Sequence, residues 1–556
     1  MKTVAQAFAN AIASGLSREA ASRCSTWATT YRIMGKPYPG HYGFDHHPWA
    51  RDMHDCEADL MVGMKAAQMG YTEVAINKAF YTLDIQQSSV LYVLPTQPDA
   101  KDFSAGRFDP ALELSPHLKT LFSDVKNVGM KTARNNAILY VRGARSKSQL
   151  KSLPVSKVIL DELDEMPAEN IPLVFERVSG QLDHQIFMLS TPTIPGRGID
   201  VYYQDSSQDH YFFPCPRCGR QTELIFPDCL IVTGDDPGGT DVLNSYIICN
   251  ECKQPLDHKQ KPDYLPKGHW VSGRTDRASR GYHINQLYSP TVAPYQLAIQ
   301  LLESKVNPAA EQELYNSKMG MPHTIEGACI DDEMIDACIV NSVSLAKPNP
   351  PKHGRLRTIG IDVGNVLHVV CLEWSFEKGA TGCYNSDLHK YSVPTLIAAT
   401  KLEHFEQIPA FVAAMGAHFI VIDANPEHRK GIEIARKYPG RVRLCYYSNN
   451  KDTTMIDVRD EENCGIHVSR TSWLDVVFAR FKNKRIRLPV DISYEYRSNV
   501  KALTRIYEND RDGNPVGKYV KRDKDADHFA HATLYGELAL VLAYRSTQSF
   551  DITGIY

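Results

Sequence analysis

The most constraining stretch of the chain is residues 59–73, Asp-Leu-Met-Val-Gly-Met-Lys-Ala-Ala-Gln-Met-Gly-Tyr-Thr-Glu. The apolar run from Leu60 to Met64 reads as a buried strand, and helix-forming sequence follows from Val74 to Leu83. Between them lies a loop carrying Lys65, Gly70 and Thr72. A strand that feeds a loop and then a helix N-terminus binds phosphate, because free backbone N–H groups and the helix dipole converge on the anion. Against the pattern G-x-x-x-x-G-K-[ST], Gly70 and Thr72 take the second Gly and the Ser/Thr positions. Lys65 stands where the first Gly belongs and Tyr71 where the Lys belongs, so the lysine has moved to the other side of the loop, still within reach of the β- and γ-phosphates.

A second stretch gives the first its meaning. Val158-Ile-Leu-Asp161-Glu162 is a β-branched apolar run ending in two carboxylates, with Asp164 and Glu165 just after. In a P-loop ATPase the strand beside the P-loop carries an Asp that helps hold Mg²⁺, and the following Glu orients the attacking water. Each motif alone is a core strand meeting a polar turn; the two in this order point to nucleotide hydrolysis.

At 556 residues the chain has room for two or three domains, and a net charge of −3 confines any nucleic-acid surface to a local patch. The sequence shows no run of eighteen apolar residues and no leader-like start, so a soluble, intracellular protein with no membrane partner is expected. Thirteen cysteines, mostly scattered, argue against a disulfide framework. Four of them form two C-x-x-C knuckles, Cys215/Cys218 and Cys249/Cys252, about thirty residues apart. Four thiolates close a tetrahedral Zn²⁺ with no open position, a structural site rather than a catalytic one; the other reading is four reduced thiols. The remaining cysteines read as ordinary thiols.

Residues 3–23 are Ala-rich with helical spacing, and His46 and His47 read as a solvated pair. Ser89 to Thr96 and Gln185 to Leu189 read as further strands, the latter running into Ser190-Thr-Pro192, a turn suited to sensing a γ-phosphate. Arg142, Arg145 and Lys147 offer an arginine for a neighbouring subunit's phosphate, or simply an exposed basic loop.

Residues 342 to 355 are Pro-rich and polar, the clearest boundary in the chain. Beyond it, Thr358 to Asp362 and His368 to Trp374 read as a hairpin, and Phe419 to Asp423 as a second apolar strand ending in Asp. Asp523, Asp525, Asp527, His528 and His531 open a helix running to about Tyr544. Carboxylates from two strands and one helix start can hold two hard divalent ions, Mg²⁺ or Mn²⁺, which suits phosphodiester cleavage by an RNase H-like nuclease. Asp527 is the choice for the third ligand, with Asp523 and Asp525 as rivals. Residues 470 to 525 carry fourteen Lys or Arg against eight Asp or Glu. Arg480, Lys482, Lys484, Arg485, Arg487, Lys518, Lys521, Arg522 and Lys524 thus offer a basic strip for a phosphate backbone, or a solvated surface.

In this order the parts resemble the large terminase subunit of tailed bacteriophages, nearest its lambda-type group. The resemblance rests on Lys65 to Thr72, Val93-Leu-Pro-Thr96, Gly143-Ala-Arg-Ser leading to Leu160-Asp-Glu162, Ser190-Thr-Pro192, Gly281 to Pro290, Tyr315 to Gly320, and Asp362, Asp423 and Asp527. It spans about residues 40 to 540. The resemblance implies an α/β protein with an N-terminal helical segment (1–40) and a P-loop, RecA-like (ASCE) ATPase domain (41–341). A zinc ribbon is inserted at about 211–256; a linker (342–356), an RNase H-like nuclease domain (357–545) and a tail (546–556) follow. It further implies ATP and Mg²⁺ held by Lys65, Gln68, Gly70, Tyr71, Thr72 and Asp161, with Glu162 on the attacking water. Asp362, Asp423 and Asp527 would be the nuclease ligands. The implied protein is a genome-packaging motor that works as a homo-oligomeric ring on the portal protein of the procapsid, with a small terminase subunit. It would act on double-stranded DNA in the host cytoplasm and be absent from the mature virion. Where the family often has a Gln contacting adenine after Pro48-Trp49, this chain has Ala50. Two other readings stand beside it: a helicase-like translocase with an inert RNase H-like domain, and a non-catalytic, zinc-bearing DNA-binding scaffold.

Overall fold

The computed structural model describes residues 22–122, 127–151, 153–345, 355–377, 385–448, 456–460, 464–509 and 514–547. The expected helix over 3–23 falls almost wholly outside these ranges, as do Cys383, most of the 342–356 stretch and the tail beyond 547. The chain forms two compact units, Met1–Thr324 and Ile325–Tyr556. The division falls before the Pro-rich stretch because residues from Ile325 onward already belong to the second core. Ile330, Ile335 and Cys338 are buried in it, Ile339–Val340 pairs with Leu488–Pro489, and Asp332 takes ion pairs from Arg497 and Lys501.

The first unit is built on a ten-stranded sheet. Its centre is parallel and runs Arg280–Ile284, Leu60–Lys65, Gln185–Ser190, Lys157–Asp161, Val90–Leu94, Ile138–Gly143. These central strands carry β-branched and apolar residues with hardly a polar interruption, and the Val90–Leu94 and Gln185–Ser190 strands are buried throughout, as expected of a parallel sheet covered on both faces. The strand from Lys157 to Asp161 does not lie directly beside the Leu60–Lys65 strand as the sequence suggested; Gln185–Ser190 is inserted between them. Its all-apolar run can face a neighbour on each side, so it takes an interior position, and its end at Ser190 stands between Lys65 and Asp161.

At one flank the order continues through Asp209–Pro214 to Gln221–Thr222, with His269–Ser272 also paired to Asp209–Pro214. The Cys215–Cys218 knuckle caps this hairpin, while Cys249–Cys252 joins two strands of a separate three-stranded sheet formed by Leu230–Ile231, Tyr246–Ile248 and Pro255–Leu256.

The second unit has a seven-stranded sheet. Ser392–Leu402, Leu367–Phe376 and Arg357–Val363 form an antiparallel meander, and Phe419–Asp423, Val442–Ser448 and Gly465–Ser469 then add parallel to the Arg357–Val363 side. A long helix, His528–Thr547, packs on one face with the helix Arg470–Lys482. The helices Ile408–Met415 and His428–Lys437 cover the other face. No helix among the described residues is long and apolar enough to cross a membrane.

Candidate functional sites

In the first unit the Leu60–Lys65 strand passes through Ala66 to Gly70 into the helix Tyr71–Asp84. Gly70 caps that helix in the left-handed region (φ 84°) and Gln68 is left-handed too (φ 61°). Two loop amides are already used: Ala66 N–H donates to the carbonyl of Ile284 and Ala67 N–H to that of Ser317. Among the described residues no backbone hydrogen bond occupies the amides of Gln68 to Thr72. Those amides, at the start of a fourteen-residue helix, are placed to cradle an anion. The Tyr71 ring is buried under Gly63, so what this residue offers a phosphate is its backbone N–H.

The cradle is braced from behind. Trp49, fully buried, donates its indole N–H to the carbonyl of Met69 (2.9 Å). His47 is not one of a solvated pair. Its ring packs against Gly70 with Nε2 3.3 Å from the Gln68 carbonyl, and burial pushes its pKa down to about 4. Only His46 is exposed, stacked on Tyr38.

Lys65 ends its strand buried, and its Nζ lies 3.2 Å from Oε1 of Glu162. Glu162 follows the Asp161 strand in a left-handed conformation (φ 62°) that turns its half-exposed carboxylate toward the lysine. Asp161 is buried. Its Oδ2 accepts the Tyr92 hydroxyl (2.6 Å), while its Oδ1 has no hydrogen-bond partner. Burial, helped by the adjacent Glu162 carboxylate, raises its pKa to about 6.

Asp164, noted in the sequence only as part of an acidic turn, organises this edge. It accepts Thr193 N–H (2.9 Å), Thr193 Oγ1–H (2.8 Å) and Ile199 N–H (2.8 Å), and its own N–H donates to Ser190 Oγ (3.2 Å). The Ser190-Thr-Pro192 turn is thus wired to the turn that presents Glu162. Glu73, in the first turn after Thr72, pairs with Arg32 (2.9 Å) and Arg107 (2.7 Å). Arg142 is committed to the carbonyls of Gly129 and Val141 and lies over Tyr140, whereas Arg145 and Lys147 are exposed.

The four knuckle cysteines place their sulfurs within 4.8 Å of one another. Backbone N–H groups of Arg217 and Glu251 point at the sulfurs of Cys215 (3.4 Å) and Cys249 (3.3 Å), which favours thiolates, although burial still pushes the Cys215 thiol up to about 12.

In the second unit Asp362 and Asp423 end neighbouring parallel strands whose register pairs Ile361 with Ile422. The carboxylates therefore stand side by side. Burial first, then the Asp362 charge, raises the pKa of Asp423 to about 6. Asp527 immediately precedes the helix His528–Thr547. Burial works to raise its pKa, but hydrogen bonds from His531 (3.2 Å) and Lys521 (2.7 Å) prevail and hold it well below the usual carboxylate range. Asp523 and Lys524 are exposed, and Asp525 pairs with Arg522 (2.9 Å).

Two histidines close on the same point. His528 Nδ1 is 2.8 Å from Asp362 Oδ2, and the buried His368, opposite Asp362 in the hairpin, stacks on His528 with ring centroids 4.4 Å apart. Asp362, His368 and His528 can each bring a ligand atom within 4.8 Å of the others. In the sequence His368 is only the start of the hairpin's return strand; the register is what sets it opposite Asp362. In the basic strip, Arg480 is not a surface contact: it is buried in a bidentate pair with Glu537 (2.8 and 3.0 Å). Lys482, Lys484, Arg487 and Lys524 are exposed.

Residues 37–270 match the protein family described as phage terminase large subunit gpA, ATPase domain. The large terminase subunit of Escherichia phage lambda is 24% identical over 290 residues, covering 46% of this chain and 45% of the relative. That of Enterobacteria phage P21 is 22% identical over 291 residues, with the same coverage. The aligned part thus spans about half the length of these curated relatives. Among solved structures, the crystal structure of the HK97 bacteriophage large terminase is matched over 93% of this chain and 99% of its own, at 10% identity and a TM-score of 0.44. The family match and the two curated relatives thus agree that this part of the chain is similar to the large terminase subunits of lambda-type bacteriophages.

Proposed function

We propose that this chain is the subunit of a viral genome-packaging motor that hydrolyses ATP to move double-stranded DNA into a procapsid and cuts concatemeric DNA. The observation that carries the first half is the Lys65–Glu162 pair beside Asp161, at the mouth of an anion cradle. In the first unit Lys65 and the N–H groups of Gln68, Gly70, Tyr71 and Thr72 bind the phosphates. The unpartnered Oδ1 of Asp161 fits a hydrated Mg²⁺ held together with the Thr72 hydroxyl. Incoming phosphate draws the Lys65 charge to itself, which frees Glu162 to take the proton of the attacking water. Ser190, through Asp164, reports the change to the turn that presents Glu162.

In the second unit Asp362, Asp423 and Asp527 would hold Mg²⁺ or Mn²⁺, and a strand meander followed by parallel strands supports an RNase H-like fold. The side-by-side carboxylates of Asp362 and Asp423 suit hard ions, which would activate water and stabilise the leaving oxygen. Lys521 and His531 then balance the Asp527 charge, and the exposed Lys482, Lys484, Arg487 and Lys524 suit a phosphate backbone. Cys215, Cys218, Cys249 and Cys252 would hold a structural Zn²⁺ that ties the sheet flank to the small three-stranded sheet. The proposed setting is a homo-oligomeric ring on the portal protein, with a small terminase subunit, in the host cytoplasm.

Glu162→Ala is expected to abolish ATP turnover while sparing cleavage, and Asp362→Ala to do the reverse. ATPase rates equal in Glu162→Ala and parent, or persistent cutting by a clean Asp362→Ala preparation, would refute the respective assignment. A parent that hydrolyses ATP but never nicks plasmid with Mn²⁺ would favour the helicase-like translocase, and one that does neither the DNA-binding scaffold.

A further inference from the structure

The segment Leu314–Gly320 has no role in the account so far, yet it spans the nucleotide site. Leu314–Lys318 is a turn of π-helix, a local irregularity that side-chain packing must sustain. On one side it is clamped to the phosphate loop: the Ser317 carbonyl accepts Ala67 N–H at 2.7 Å. Gly320 (φ 62°) lies so flat on the loop that a Cβ there would sit 2.5 Å from the Ala66 nitrogen. On the other side the Asn316 side chain, buried, donates Nδ2–H to the carbonyls of Thr193 (2.7 Å) and Met321 (2.8 Å). Gln312 Nε2 fixes the orientation of the carboxamide by donating to its Oδ1, and His323 N–H donates to the same Thr193 carbonyl (3.0 Å).

Thr193 is the residue whose N–H and hydroxyl hold Asp164, in the turn that begins at Glu162. A continuous chain of hydrogen bonds therefore runs from Ala67 through Ser317, Asn316, Thr193 and Asp164 to the Ser190 hydroxyl. Apart from the sheet itself, this is a route by which a shift of the phosphate loop reaches the turn bearing the base.

We propose that Asn316 is a positioning residue for ATP hydrolysis, holding the Glu162 turn in register with the phosphate loop through Thr193. The inference rests on the ATPase reading above. Asn316 touches neither phosphate nor water in this scheme, so its loss leaves the cradle intact and displaces the base. A base displaced by about 1 Å costs up to roughly a hundredfold in rate.

The test compares the parent chain with Asn316→Asp, which keeps the shape but turns both donated hydrogen bonds into contacts between oxygens. Steady-state hydrolysis is expected to show kcat reduced by about tenfold or more with KM for ATP within about twofold. Hydrogen exchange supplies a readout that a merely structural role would not move. On exchanging ADP for a slowly hydrolysed ATP analogue, peptides covering 65–72 should respond in both proteins, and those covering 190–198 only in the parent. Unchanged kcat, or an unchanged response over 190–198, overturns the inference. Should Asn316→Asp melt far below the parent, Gln312→Ala, which releases the carboxamide orientation and a bond to the His323 carbonyl (3.3 Å) but leaves both Asn316 donors in place, is expected to give the same split at smaller amplitude; parent-like values there overturn it equally. A parent that neither binds nor hydrolyses ATP sinks the ATPase reading and this inference together, whereas an active parent with an indifferent Asn316→Asp sinks this one alone.

Discussion

Gly360 sits two residues before Asp362, facing the backbone of the His528–Thr547 helix. A Cβ built there would lie 2.0 Å from the Ala532 carbonyl oxygen and 2.3 Å from the Gly536 nitrogen. Real Cβ atoms essentially never come closer than 3.0 Å, and both obstacles are helix backbone rather than a flexible side chain. Gly360→Ala must therefore push helix and strand about 1 Å apart. The same helix brings His528 to Asp362 and is preceded by Asp527, so the displacement opens the proposed nuclease site. Overpacking of this kind costs about 1–3 kcal/mol of stability. A 1 Å misplacement of reacting groups costs up to roughly a hundredfold in rate. Plasmid cleavage with Mn²⁺ is thus expected to fall by about one to two orders of magnitude in Gly360→Ala. ATP hydrolysis, proposed for the other unit, should stay at the parental rate. Gly106→Ala, where nothing lies within 4 Å, is the matched control. Cleavage by Gly360→Ala within about threefold of the parent, in a protein that melts like the parent, would show that helix approach does not set the geometry of this site.

Two further outcomes follow from the geometry. His54 is buried and neutral, its Nδ1–H donating to the Ala50 carbonyl (2.7 Å) and its Nε2 accepting from Asn77 (3.0 Å); burial lowers its pKa to about 4. Because the folded value lies below the unfolded one near 6.5, this contribution is complete above pH 6.5 and is lost as pH falls toward 4. It is worth about 3 kcal/mol at most. Denaturant unfolding between pH 7 and 4 should show this loss in the parent and a shallower one in His54→Gln; superimposable profiles would contradict it. At the knuckles, the purified protein should carry about one Zn²⁺ per chain by metal analysis, released by a thiol-modifying reagent, and Cys249→Ser should lower both zinc content and melting temperature. Metal-free protein of undiminished stability would return the four cysteines to ordinary thiols.

What the sequence made legible was whatever chemistry announces itself locally. The strand ending at Lys65, the left-handed Gly70, the Asp161–Glu162 step and the two strands ending in Asp362 and Asp423 all sit where an apolar run gives way to polar residues. Strand order was harder: nothing in Gln185–Ser190 says that it slides between the other two strands, because that choice is made by how faces pack. Residues recruited from afar were not legible either. Asp164 looked like one more acid in an acidic turn until Thr193 and Ile199 closed on it, and Asn316 reaches the site across more than a hundred residues of chain. Arg480 illustrates the opposite error. Counted in a basic cluster it looked like a phosphate contact, yet the one acid that neutralises it, Glu537, lies 57 residues on, facing it from another helix.

The most direct test of two ion-dependent sites in one chain is a crystal soaked with a slowly hydrolysed ATP analogue and Mn²⁺, with anomalous scattering collected at the manganese edge. Manganese peaks are expected beside Asp161 and Thr72 and, separately, between Asp362 and Asp423. A triphosphate bound away from Lys65, or a soak that leaves Asp362 and Asp423 without manganese, would contradict the account.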